Sequence, residues 1–330
     1  MSSLTLALLM VGVVLATACL GSPLIRAAAP TLMRFPRLAV ISLGASLMLW
    51  MASVIAAGLF LAWSLTGPSP LPEPMAEVCR RCLDASNPFS SGMAAESAVP
   101  SVVFLAAPAL AVAVVAAVGL RSVLTRRRRL RGTCRSLLPS GRRETIGGRT
   151  VTVVADPQPS AFALGRGCGI VVSTGLLEAL SAPEAEAVVE HEAAHVRERH
   201  HLILDVIESL TGPLRWIPFA AAIADSVPHY LEISADRAAQ RRVGTRPLAS
   251  ALLTMGQDSH ERRSAARHLG PDRMMLASGP ERVRQLVRPA DPRRGALGAA
   301  AIVALMTVLI VTSSAAHGAA LAAVLSGCVL

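Results

Sequence analysis

The stretch VVEHEAAHVRERHH, Val188–His201, decides how the rest of the chain is read. At its centre stand His191, Glu192 and His195. On a helix, residues four apart share a face, so both imidazoles aim at one point. A catalytic zinc accepts imidazole nitrogen, uses three protein ligands and leaves its fourth place to water. Glu192 falls beside that water, where a carboxylate takes its proton and passes it to a leaving amine. The competing reading is a solvated helix face, because RERHH continues with charge. Against it stand Ala185, Ala187, Val188 and Val189, small apolar residues that mark a packed helix. Histidines buried there without a metal would need other partners.

The helical pattern extends from Ser181 to Leu210, and Ser181 with Glu184 forms a capping box at its start. Upstream, RTVTVVAD (Arg149–Asp156) alternates as a strand, and SAFAL and GIVVST flank the glycine-rich GRGCG as a hairpin. Downstream, Thr211–Val227 opens on the breakers Gly212 and Pro213; its apolar middle is too short to span a bilayer unaided, so it grazes the membrane or packs in the core. A helix is expected to restart after Pro228. It carries Glu232, which can supply a third ligand oxygen, and Asp236, which faces the same way and can hold the outer nitrogen of a ligating imidazole. His200, His201 and His229 are the alternative third ligands. On a continuous helix His200 points off the metal-facing side, so His200 and His201 read as a surface pair. His229 and Tyr230 are candidate donors to a developing oxyanion, with loop or capping roles as the alternative.

The chain has 330 residues, a net charge of +10 and 52% hydrophobic residues. With 16% charged residues and a mean hydropathy of +0.51, it is too apolar for an ordinary soluble protein. Every basic residue is arginine. One Tyr, six Phe and no binding motif argue against direct contact with nucleic acid. Four stretches suffice for a bilayer: Leu4–Ile25, Leu38–Leu65, Val99–Leu120 and a tail from Ala296. TSSAAHG interrupts the tail, which is either one tilted span or a span followed by a re-entrant piece; the single span is the reading taken. Arg26, Arg34 and Arg37 lie between spans one and two, and RRRRLR follows span three; the Thr66–Ala98 loop is mostly acidic and carries TGPSPLPEP as a linker. The positive-inside rule then puts the N-terminus outside and Arg121–Arg294 in the cytosol. The expected division is a three-span block at 1–125, a catalytic unit at 126–294 and a last span at 295–330. Cys79 and Cys82 form CRRC in the outer loop, read as a small disulfide or two idle thiols against a redox or metal-sensing role. The spans carry no acidic or basic residue in their middles, which disfavours a transporter.

STGLLEALSAPEAEAVVEHEAAHVRERHH followed by LEISADRAA resembles the gluzincin-type membrane metallopeptidases: the BlaR/MecR-type antirepressor peptidases and, more distantly, the HtpX and CAAX-prenyl-protease group. LRWIPF looks like the segment before the third ligand in the antirepressor branch, and ERVRQL like one near the end of the catalytic unit. The resemblance implies an α+β, mainly α-helical polytopic protein with a cytosol-facing zincin-like unit and a small sheet. It implies one zinc on His191, His195 and Glu232, with Glu192 as catalytic base and Asp236 behind a ligand. Ser160, Ala161, Phe162, Ala163 and Leu164 would be the strand that pairs with substrate. The substrate would be a protein or peptide, with a cytosolic transcriptional repressor and a damaged membrane protein as the two classes. The antibiotic-sensing members carry a C-terminal penicillin-binding domain; the sequence here ends at Leu330 without an S-x-x-K motif, so β-lactam sensing by that route is not expected. A non-catalytic membrane receptor is the rival, and the intact Glu192 argues against it.

Overall fold

The computed structural model describes residues 3–66, 72–87, 95–137, 141–164, 169–265, 282–283, 286–288 and 291–325. Among the described residues four helices are long and apolar enough to cross a membrane: α1 (Ser3–Arg34), α2 (Pro36–Ser64), α4 (Ser101–Leu137) and α10 (Ala296–Leu325). In hydrocarbon every backbone polar group must be satisfied within the element, which a helix does. Hydroxyls obey the same demand: Thr17, Ser53, Thr307 and Thr312 each donate to the carbonyl four residues back. α1 runs on from the expected end at Ile25 to Arg34, and the turn at Phe35 leads directly into α2. The tail is a single helix through TSSAAHG, where His317 Nδ1 lies 2.8 Å from the Ser313 carbonyl. α1 packs on α2 and α10, and α2 on α4. Trp50 Nε1 donates to the Val14 carbonyl at 3.0 Å, tying α2 to α1.

Between α2 and α4 the expected loop contains a helix, α3 (Glu73–Ser86), flanked by a short parallel pair of β1 (Leu65–Thr66) and β2 (Ala95–Glu96). Cys79 and Cys82 stand three apart on α3. The side chain of Cys79 and most of the TGPSPLPEP linker lie outside the described residues.

The second sheet has the order β3-β4-β6-β5. β3 (Arg142–Ile146) and β4 (Arg149–Val154) form a hairpin through Gly147 and Gly148, both at positive φ. β4 runs parallel to β6 (Gly169–Ser173), and β5 (Ala161–Leu164) is antiparallel to β6. The strand and hairpin read from sequence are present. β3 is additional, because the charged RRETI shows no apolar alternation. Most of GRGCG lies outside the described residues.

After α5 (Thr174–Ala179), α6 (Ala182–Arg197) lays Ala185, Val188 and Val189 on Val151, Val153, Ile170 and Val172 of the sheet. The single helix expected over Ser181–Leu210 breaks in two. Arg199 adopts φ 54°, a left-handed conformation that costs a side-chain-bearing residue roughly 1–2 kcal/mol, and α7 (His200–Thr211) leaves in a new direction. α8 (Pro218–Val243) then runs unbroken through Pro228, so the expected restart does not occur. Proline removes one backbone donor, and the burial of Phe219, Ile223, Val227 and Leu231 in a cluster with α1 and α2 offsets that loss. α9 (Thr245–Ala265) closes the unit on α6.

α7 and α8 form a hairpin set among the spans, α7 against α4 and α8 against α1 and α2. Within the segment Thr211–Val227, residues 212–217 make the turn of this hairpin and residues 218–227 are the first part of α8, packed in the core with α1 and α2. A Cβ at Gly119 of α4 would collide with the Ser209 carbonyl of α7, so glycine is needed for that approach. Arg126 and Arg127, just past the apolar part of α4, pair with Glu208 and Asp205 of α7. The chain is an α+β, mainly helical, polytopic membrane protein.

Candidate metal centre

The centre is built where α6 crosses α8. The capping box starts α6, with the Ser181 N–H donating to Glu184 Oε2 at 2.8 Å. Ala194 of α6 and Ala235 and Ala238 of α8 form a small buried cluster, and such short side chains let the helices approach closely. Their facing surfaces bring His191 and His195 against Glu232. The two Nε2 atoms are 3.1 Å apart. Glu232 Oε2 lies 3.4 Å from His191 Nε2, and its Oε1 3.4 Å from His195 Nε2. A tetrahedral ion with bonds near 2.0–2.1 Å separates its ligand atoms by about 3.3 Å, so the donor set fits zinc in chemistry and in spacing. Among the described residues these three form a group able to hold an ion, with one ligand atom from each within 4.8 Å of the others.

Both imidazoles are held from behind. Asp236 Oδ1 is 3.0 Å from His191 Nδ1. The nitrogen behind His195 is unexpected: His200 Nδ1 stands 3.0 Å from His195 Nδ1. His200 is only 2% exposed, which corrects its reading as a surface residue. On a continuous helix it would point away from His195; the left-handed Arg199 turns it back.

Arg282 is the participant that sequence spacing did not reveal. Its Nε donates to Asp236 Oδ2 at 2.9 Å, its second nitrogen contacts Asp236 Oδ1, and NH1 lies 3.2 Å from Glu232 Oε2. It sits in the ERVRQL segment, but one arginine among many, 46 residues past its partner, carries no signal of proximity. Its guanidinium offsets the charge of two carboxylates that are each less than a tenth exposed.

Burial raises the Glu192 carboxyl to about 7, against the pull of the His191 charge and of the Ala163 N–H that donates to it. Burial and the His191 charge press His195 down to about 3, leaving it neutral. Burial and Arg282 also press on His191, but hydrogen bonds to Asp236 and Glu232 prevail and raise it to about 10. Glu232 is held at about 2, since bonds and charges from His191 and Arg282 overcome its burial. Asp236 is lowered further against the same penalty, chiefly by Arg282 and His191.

The remaining expected residues are placed as follows. Ala161–Leu164 form β5, the edge strand of the sheet, which packs on α6. Ser160 precedes the strand and exchanges hydrogen bonds with Ser173. Tyr230 is buried in the apolar cluster with α1 and α2, and burial raises it to about 12. It is two residues before Glu232, so it leaves the far side of α8. His229 is half-buried, its ring 6.1 Å from that of Tyr230.

The model of Peptidase family M48 matches residues 126–227, a span that holds His191, Glu192 and His195 and stops short of Glu232. A protease HtpX homolog of Caldanaerobacter subterraneus subsp. tengcongensis is 38% identical over 65 residues, which is 19% of this chain and 22% of that protein. The chain therefore spans about a fifth of the length of this curated relative. No solved structure matches. The chain is similar to M48 metallopeptidases over the part that carries the His-Glu-x-x-His helix, and these likenesses support a membrane-associated metalloprotease.

Proposed function

We propose that the chain is a zinc-dependent endopeptidase of the gluzincin type, hydrolysing peptide bonds at the cytosolic face of the cell membrane. The observation that carries this is the convergence of His191, His195 and Glu232 with Glu192 one residue from the first ligand. One zinc per chain on those three side chains would supply Lewis-acid polarisation of the scissile carbonyl. Glu192 takes the proton of the attacking water and returns it to the leaving amine. Asp236 and Arg282 keep His191 oriented. The β5 edge at Ala161–Leu164 runs past Glu192 through the Ala163 N–H, so an extended peptide added to that edge meets the base. His229, one turn before Glu232, is the better placed of the two oxyanion candidates.

The basic residues past the apolar part of α4 and around the α1–α2 turn favour a cytosolic catalytic side. Regulatory cleavage of a transcriptional repressor is the physiological reading, resting on the likeness of LRWIPF to the antirepressor branch; quality control of membrane proteins is the alternative. Detergent-purified protein and its Glu192→Gln variant should each hold one zinc. Only the former should cleave casein or itself, with a rate difference of at least about a hundredfold. Equal, zinc-independent behaviour of the two would remove the enzyme and leave a membrane receptor with a protease-like fold.

A further inference from the structure

Among the described residues no carboxylate stands directly behind the outer nitrogen of His195; a longer chain of groups takes that place. His200 Nδ1 is 3.0 Å from His195 Nδ1, and His200 Nε2 is 3.2 Å from Glu198 Oε2. Glu198 in turn accepts from Ser234 Oγ of α8 at 3.0 Å, and from Arg37 Nε and NH2 at 3.2 and 2.6 Å. Arg37 stands in the first turn of α2, a candidate membrane span. Five elements thus meet on one line: α2, α6, the α6–α7 turn, α7 and α8.

The direction of every proton along this line follows from its end. An ionised carboxylate only accepts, so His200 donates to Glu198 from Nε2 and has a lone pair left on Nδ1. That lone pair accepts the Nδ1–H of His195. The tautomer so selected leaves the lone pair of His195 on Nε2, the atom that faces His191 and Glu232. Arg37 gains nothing from its own helix, since a cation in the first turn is opposed by the helix dipole. Its bidentate contact with Glu198 is what holds it there.

We propose that His200 is the positioning residue of the metal ligand His195, and that Arg37 anchors it through Glu198, so that the α1–α2 membrane pair sets the imidazole that receives the metal. This rests on the zinc reading above. A group behind a metal-ligating histidine is worth about 10–100-fold in metal affinity. His200→Leu, which removes the acceptor, should weaken zinc binding by about that factor in a chelator competition on the full-length protein. His200→Asn puts an amide oxygen at the acceptor place and should restore most of it. Arg37→Ala, at an exposed side chain that leaves the fold intact, should weaken binding by about two- to fivefold, because Ser234 still holds Glu198. The visible spectrum of the cobalt-substituted protein should shift in His200→Leu and return in His200→Asn. Wild-type affinity and spectrum in folded His200→Leu, or an asparagine no better than leucine, would overturn the relay while the zinc reading stands. Unchanged affinity in Arg37→Ala would overturn the link to the membrane helices. A wild-type protein that takes up no zinc would overturn the metal reading and this inference together.

Discussion

Ion pairs in this chain differ in worth by their burial. Arg282 lies between Asp236 and Glu232, and all three are less than a tenth exposed. Removing such a cation leaves two carboxylates uncompensated in low dielectric, a loss of about 3–5 kcal/mol. Arg149 and Glu190 form an intermediate case, at 2.8 Å and 3.2 Å: Glu190 is 3% exposed and has Arg242 at 3.6 Å as a second partner, while the Arg149 side chain is 33% exposed. The Arg37–Glu198 pair has its arginine 63% exposed, so solvent screens it to about 1 kcal/mol or less. Arg282→Met and Arg149→Met should therefore each lower the thermal midpoint by several degrees more than Arg37→Ala, read by scanning calorimetry in detergent. Zinc raises the midpoint of every variant that binds it, so the gap to wild type at equal zinc should narrow for Arg282→Met, where a cation again faces Glu232, and stay unchanged for Arg149→Met.

At the scale of elements, α6 carries two of the three side chains of the candidate metal centre, and its start is marked by local sequence and reinforced from α9. Glu184 accepts from the Ser181 backbone and hydroxyl and from Ser250 of α9, and these bonds hold its carboxyl below the ordinary range. Ser181→Ala should cost about 1 kcal/mol. A depressed folded pKa stabilises above the unfolded carboxylate value and is lost as pH falls through the folded one. The midpoint of wild type should therefore exceed that of Glu184→Gln at neutral pH, and the gap should close below about pH 4. A gap independent of pH would mean the carboxylate plays no part in the cap. The capping box and the i,i+4 pair His191/His195 were legible because both are relations within one helical turn. The break at Arg199 was not: no glycine marks it, and the left-handed residue is maintained by the docking of α7 on α4 and of His200 on His195. Nor was the continuity of α8 through Pro228, because packing on α1 and α2 outweighs one missing donor.

Across the whole molecule, the α1–α2 turn touches the elements that hold the candidate metal centre directly. Arg37 pairs with Glu198, and Arg237 of α8 donates to the carbonyls of Met33 and Arg34. In the proposed topology two candidate spans, α2 and α4, separate that turn from the sheet, which would put both on one side of the bilayer and α3 on the other. In a cysteine-free background, single cysteines at positions 35 and 144 should react with an impermeant maleimide from the same face, and one at position 75 from the opposite face. Labelling of 35 and 144 from different faces would contradict the assembly of α8 against α1 and α2.

Composition, span length and arginine placement came from the linear chain, as did the strand pattern, the cap of α6 and the shared face of its two histidines. Each depends on neighbours within a few residues or on a sum over many. The meeting of that face with Glu232, the entry of Arg282 from 46 residues beyond Asp236, and the line from His195 to Arg37 across more than 150 positions were decided only by tertiary packing. Those contacts exist because small residues let α6 and α8 close together and a strained Arg199 turns the chain back, and neither effect has a period that a sequence can display.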